Sequence, residues 1–303
     1  MSLSVGIVGL PNAGKSTLFN ALCSRKLAET DVRPFTTIDP HQAAVAVPDA
    51  DLAKLSKLVK PQKTVPASVT FIDIAGLVKG AHKGEGLGNQ FLAKIREVNA
   101  IVHVIRCFPD PKVAHQHPSF EPGSEKQALE DIEIIDSELK LGGIEGKPII
   151  YLLNLDQAKL GEEKSKKFKG EIVAVSAKLE EEMIELTETE KKDFLGLLEG
   201  NQSGLEQLIK KAYSLLDLIS FYTIKGGSEI HAWSLKAGSD IIKAAAKVHT
   251  DFAVKFIKAE VIDVKELLRA GSWKQAKEKG RVRLEGREYI IKDKEVVEFI
   301  ISK

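Results

Sequence analysis

The chain has 303 residues, room for two domains, and is 43% apolar and 29% charged, an ordinary soluble profile. Its net charge of +1 excludes a globally basic nucleic-acid or membrane binder, and its two cysteines, Cys23 and Cys107, exclude a disulfide framework and suit a reducing cytosol. No apolar run reaches the roughly 18 residues of a membrane span, and a strand pattern starts at the N-terminus with no basic leader, so a cytoplasmic protein without a membrane partner is expected.

In chain order, the first two-thirds alternate short apolar runs with helical spacing. Strands are expected at 3–8, 43–47, 68–72, 100–106, 148–153 and 171–175, and helices at 16–23, 89–98, 124–140 and 204–216. This alternation predicts a mostly parallel sheet covered by helices on both faces, with ligands at the carboxyl ends of the strands. The segments 29–40 and 76–88 show little periodicity and fit loops that change conformation. The Glu-rich stretch 179–190 reads as a solvated helical surface. Beyond about Ser220, strands at 221–224, 229–235, 256–261 and 289–291 with helices at 239–249 and 264–270 suggest a small α+β module. The expected domains are therefore 1–218 and 219–303. The second carries 17 Lys and Arg against 12 Asp and Glu, a net of +5, while the first is slightly acidic. That asymmetry points to different partners for the two.

The first apolar run ends in Gly9-Leu10-Pro11-Asn12-Ala13-Gly14-Lys15-Ser16, followed by Thr17. This is the G-x-x-x-x-G-K-[ST] phosphate loop. Its glycines let backbone N–H groups wrap a polyphosphate at a helix N-terminus, Lys15 reaches the outer phosphates, and the Ser16 hydroxyl binds Mg²⁺. A hydrolysing switch also needs a second Mg²⁺ contact and a γ-phosphate sensor. Asp73-Ile74-Ala75-Gly76 follows an expected strand as D-x-x-G: Asp73 for Mg²⁺, the Gly76 N–H for the γ-phosphate. In the first mobile loop, Thr36 and Thr37 follow Arg33-Pro34-Phe35, and Thr37 is the favoured third contact to metal and phosphate.

Guanine recognition uses Asn-Lys-x-Asp after the fifth strand, and the matching stretch here is Asn154-Leu155-Asp156-Gln157. A carboxylate accepts from both guanine donors, whereas Gln157 presents one acceptor and one donor. The substitution weakens GTP and permits ATP, unless Asp156, one position early, reads guanine instead. Ser176-Ala177-Lys178 is placed for backbone contact to the base. Leu77 stands where a glutamine often orients water, so another group must do this. His115 is the leading candidate, ahead of His82 and His117. An amide oxygen at Asn12 can ligate a monovalent cation such as K⁺ beside the phosphates, or Asn12 simply forms a turn.

Gly9-Leu-Pro-Asn-Ala-Gly-Lys-Ser-Thr-Leu-Phe-Asn-Ala-Leu22, Pro34-Phe-Thr-Thr-Ile38 and the run from Asp73-Ile-Ala-Gly-Leu to Gly88-Asn-Gln-Phe-Leu92 together resemble the Obg-like ATPase (YchF) family. Val104-Ile-Arg-Cys-Phe108, His249-Thr-Asp-Phe252, Phe256-Ile-Lys-Ala-Glu-Val261 and Arg283-Leu-Glu-Gly-Arg-Glu-Tyr-Ile290 extend the likeness nearly to the last residue. The resemblance implies an α/β P-loop G domain with a C-terminal ubiquitin-like β-grasp (TGS) domain. It implies binding of ATP and GTP, association with ribosomes, and a catalytic histidine matching His115. It also implies a long helical arm between the third helix and the fifth strand, yet here 141–146 leads straight from the helix into Lys147-Pro-Ile-Ile.

The expected function is a ribosome-associated, Mg²⁺-dependent ATPase switch, with a GTPase in ribosome assembly and a nucleotide-gated binding module of negligible turnover as alternatives. The basic stretch 274–294, with Trp273 and Tyr289, is a candidate for rRNA contact by counterion release, against a plain solvated face. The partner of the TGS domain is unspecified.

Overall fold

A computed structural model describes residues 3–27, 41–74, 87–110, 113–114, 120–157, 170–187, 189–191 and 202–302. The chain divides into two compact units, Met1–Val45 with Val69–Leu216, and Ala46–Ser68 with Asp217–Lys303.

The first unit is built on a six-stranded sheet. Its strands are β1 (Ser4–Val8), β2 (Gln42–Ala46), β4 (Ser68–Asp73), β5 (Ala100–Cys107), β6 (Ile149–Leu155) and β7 (Glu171–Val175), in the order β2-β4-β1-β5-β6-β7. The pairs β1–β4, β1–β5, β5–β6 and β6–β7 are parallel, as the βα alternation predicts. Every residue of β1 and β5 is buried, which is why both read as continuous apolar runs rather than alternating ones. The helices are α1 (Lys15–Leu27), α3 (Leu87–Glu97), α4 (Glu125–Leu141), α5 (Ala177–Glu182) and α6 (Gly204–Leu215). One core cluster joins Val8 and Ile101 of the sheet to Phe91, Ile95, Ile135 and Leu139 of α3 and α4. Ser124 caps α4 by accepting from the Gln127 N–H, and α4 stops at Gly142. Residues 142–148 then enter β6 directly, so no helical arm stands between α4 and β6.

One expectation for this unit fails in detail. Glu180, read as part of a solvated surface, is buried, and its Oε1 accepts from the Leu205 N–H at 3.0 Å. The first turn of α6 leaves N–H groups unpaired, and Glu180 with the cap Ser203 takes two of them.

The second unit holds β8 (Leu218–Lys225), β9 (Glu229–Lys236), β10 (Phe256–Asp263), β11 (Arg283–Glu285) and β12 (Glu295–Ile301). The order β9-β8-β12-β10-β11, with antiparallel β8–β9 and β10–β12 flanking a parallel β8–β12 contact, is the ubiquitin-like β-grasp. Helix α7 (Ile241–Val248) presents Ile241, Ala244 and Ala245 to Phe221, Phe256 and Val261 of the sheet. Shorter helices α8 (Thr250–Val254), α9 (Val264–Ala270) and α10 (Trp273–Glu278) complete the unit. The expected strand 289–291 is instead an isolated bridge between Ile290 and Asp240, and the last strand is β12. Ile291 is buried like a strand residue, but its N–H donates to Ser239 O in a loop, not to a neighbouring strand.

The segment Ala46–Ser68, which a boundary at 218/219 leaves in the first domain, belongs to this second unit. It contributes α2 (Ala50–Val59) and β3 (Lys63–Val65), and β3 runs parallel to β9 and covers its open edge. Asp49 fixes the segment. Its Oδ1 accepts from the Asp51 and Leu52 N–H groups to cap α2, and its Oδ2 accepts from Tyr222 Oη at 2.7 Å and Lys294 Nζ at 2.9 Å. Burial alone would raise the Asp49 pKa, yet the hydrogen bonds from Lys294 and Tyr222 hold it below the usual carboxylate value.

Candidate functional site

The phosphate loop leaves β1 and opens α1, so its backbone donors and the helix dipole converge at the carboxyl end of the sheet. Lys15 is 8% exposed, and its Nζ donates to Leu10 O at 2.9 Å. Burial lowers its pKa and the Asp73 carboxylate opposes that shift. An ammonium has three donors, so two remain for phosphate oxygens. Asp73 is brought beside the loop by strand register, since it pairs with Ile7 across β1–β4 and its N–H donates to His41 O at 2.9 Å. Ser16 is exposed at the start of α1. A hydroxyl and a carboxylate are hard oxygen donors, the set that Mg²⁺ takes. Thr37, Gly76, Leu77, His82, His115 and His117 lie outside the described residues.

Under the loop, His103 on β5 stands in register with Val8 and is fully buried. Among the described residues, neither ring nitrogen has a hydrogen-bond partner. Burial, assisted by the Lys15 charge, pushes its pKa down to about 3, so the imidazole is neutral.

A cavity of about 380 Å³ adjoins the loop and is lined by Gly14, Thr17, Phe108–Asp110, Asn154–Gln157 and residues 176–179 with Glu181 and Glu182. Asn154 forms its hinge. Its Nδ2 donates to Ala13 O at 2.9 Å and its Oδ1 accepts from the Ala177 N–H at 3.0 Å. It therefore ties the phosphate loop to the β7–α5 turn, where Ser176 caps α5 through the Leu179 N–H. Gly14 has φ +95° and lies so close to Asn154 that any Cβ would strike the amide. Asn154 and the Ala177 N–H, both expected at the base, are thus bonded to each other, while Leu155, Asp156 and Gln157 line the cavity.

Asn12 has φ +63°, and its Nδ2 donates to Ala114 O at 3.0 Å. That bond leaves Oδ1 as its cation-capable atom. Sequence reasoning had no role for Arg106 or Gly123, although an arginine inside a mostly apolar strand is itself a signal.

In the second unit the basic stretch is largely spent on internal pairs. Lys277 reaches Glu260 at 2.6 Å, Arg283 reaches Glu295 at 2.6 Å, and Lys294 reaches Asp49 at 2.9 Å. Arg287 donates to Phe256 O. The Tyr289 hydroxyl donates to Glu295 at 2.6 Å, which with burial pushes its pKa up to about 12. Tyr289 is half-buried and packs against the core. Among the described residues no helix is long and apolar enough to cross a membrane.

Two family models match the chain. One, a 50S ribosome-binding GTPase family, covers residues 4–155, and the other, a C-terminal YchF-type GTPase family described as a protein of unknown function, covers 218–302. The chain is 38% identical to the ribosome-binding ATPase YchF of Bacillus subtilis, with 99% of each chain covered, and 34% identical to that of Escherichia coli O157:H7, with all of each covered. The Bacillus alignment runs over 370 positions, more than the 303 residues here, so that relative carries residues this chain lacks. The structure of the Schizosaccharomyces pombe YchF GTPase superposes with a TM-score of 0.80 at 28% identity, covering 99% of this chain and 98% of that one. With 34–38% identity to these relatives over nearly its whole length, this chain belongs to the YchF family.

Proposed function

We propose that the protein hydrolyses ATP with Mg²⁺ and acts as a conformational switch on the ribosome. The observation that carries the nucleotide choice is the base end of the cavity, where Gln157 replaces the carboxylate that pairs with guanine and Leu155 replaces the lysine. Adenine presents a donor at N6 and lacks the N2 amine, so an amide suits it better than a carboxylate does. Lys15 binds the outer phosphates, and Ser16, Thr37 and Asp73 hold Mg²⁺, which neutralises charge on the transferring phosphoryl group. The Gly76 N–H senses the γ-phosphate, His115 orients water where Leu77 cannot, and K⁺ at Asn12 Oδ1 adds positive charge. Thr37, Gly76 and His115 enter on sequence and family resemblance. Ribosome association is supported by the names of the Bacillus and Escherichia relatives.

Asp156 lines the same cavity, which favours GTP as the second reading. Titration of ATP and GTP, with phosphate release followed with and without ribosomes, decides between them. ATP binding at least as tight as GTP, and turnover raised by ribosomes, is expected. GTP binding about tenfold tighter (about 1.4 kcal/mol) overturns the nucleotide assignment.

A further inference from the structure

Arg106 lies near the end of β5, a strand with no exposed residue, and is itself 1% exposed. A buried guanidinium must find acceptors. Arg106 finds main-chain carbonyls: Nε donates to Phe108 O at 3.3 Å, Nη1 to Val113 O at 2.9 Å and to Ala114 O at 3.3 Å, and Nη2 to Asp110 O at 2.9 Å. The cation also stands over the Phe108 ring, 4.8 Å from its centroid. The carbonyls of Phe108, Asp110, Val113 and Ala114 are thereby gathered about one charge.

These residues face the site in two places. Phe108, Pro109 and Asp110 line the cavity beside Asn154–Gln157. The Ala114 carbonyl, held by Arg106, also accepts from Asn12 of the phosphate loop. One buried side chain therefore sets the wall of the cavity and its attachment to the loop below. So many donors spent on carbonyls also remove Arg106 from any role as a charge on the phosphates.

We propose that Arg106 is a positioning residue for the nucleotide base, and that Asn12 locks this position to the phosphate loop. The proposal rests on the reading of the cavity as the base site. Lysine keeps the charge but offers a compact ammonium in place of a planar fork, so it cannot hold carbonyls that diverge this far.

The test uses the full chain, native and with Arg106→Lys or Asn12→Gly, titrated with Mg²⁺-ATP and with Mg²⁺-tripolyphosphate, which has no base. Thermal melts accompany each titration. Glycine accepts φ +63° without strain, so Asn12→Gly removes the bond to Ala114 and leaves the turn intact. Arg106→Lys is expected to weaken ATP about tenfold and tripolyphosphate by less than about twofold, and Asn12→Gly to weaken ATP about threefold with an unchanged melt. ATP binding at the native level in either folded variant overturns the proposal. So does an equal loss for both ligands, which is the mark of a damaged phosphate loop. If Arg106→Lys does not fold, Asn12→Gly decides alone, titrated in buffer without K⁺ so that the loss of Oδ1 as a cation ligand does not enter. If the native chain binds ATP no more tightly than tripolyphosphate, the base-site reading itself falls and the proposal falls with it.

Discussion

At the proposed phosphate end of the site the candidate groups sit within one run, Gly9 to Ser16, with Asp73 added by a single strand pairing. At the proposed base end they come from separated stretches: Arg106 to Asp110, Asn154 to Gln157, and the turn that opens α5. The first end is a local structure, specified by residue types at fixed spacing and by a helix N-terminus. The second exists only after the sheet has formed, because its bonds join residues far apart in the chain. Local chemistry is thus read from a motif, whereas the base end is held by buried side chains that bond to backbone. The two ends should respond differently to substitution, except at the residue that joins them.

Asn154→Ala carries the largest expected effect, because Asn154 is where the two ends meet. The change leaves Ala13 O and the Ala177 N–H buried without partners. Each orphaned group costs on the order of 1–3 kcal/mol, so chemical denaturation should show a loss of about 3 kcal/mol. Both ATP and tripolyphosphate should weaken, since the loop and the turn are released together. A loss below about 1 kcal/mol would mean that the hinge is dispensable and the ends are already independent.

The phosphate end can be probed from beneath through His103. The unfolded imidazole takes up a proton below about pH 6.5, while the folded one does so only near pH 3. Its contribution to stability is therefore full above about 6.5 and shrinks as the pH falls toward 3. At pH 5 the loss from this group is about 2 kcal/mol. His103→Leu should remove this part of the pH dependence, read from urea midpoints at pH 7 and 5. An unaltered slope would place the acid sensitivity elsewhere.

The same contrast governs what was legible in the sequence. The parallel sheet, the phosphate loop and Asp73 follow from periodicity and spacing, which the fold preserves. Asn12 reads as a cation ligand or a turn residue, yet its amide nitrogen is bonded to Ala114, a contact no local pattern encodes. Glu180 is indistinguishable from its acidic neighbours until α6 arrives to use its carboxylate. The segment 46–68 offers the N-cap Asp49 and leucines at helical spacing, but its role as the cover of the β9 edge depends on a pairing with residues some 170 positions away. Residues 289–291 carry a strand's composition, but the Tyr289 carbonyl accepts from the Ile241 N–H at the start of α7 and the Ile291 N–H donates to Ser239 O, so composition alone misplaces the last strand.

The base end has its own narrow probe in Gly123, and here the expected effect is smallest. Gly123 has φ +82°, and a Cβ there would lie 2.7 Å from the Phe108 carbonyl carbon and from the Pro109 nitrogen. Backbone cannot move aside as a flexible side chain would, so Gly123→Ala must push the wall or shift its own turn, whose N–H donates to Gln127 Oε1 at 2.8 Å. An alanine at positive φ costs about 1 kcal/mol before any clash is counted. The atoms nearest that Cβ all belong to Phe108 and Pro109, so the displacement starts at the wall. ATP affinity should fall about fivefold while tripolyphosphate affinity holds, measured in the same titration. An equal fall in both would mean that the two ends are mechanically one, and that the wall carries no information of its own about the base.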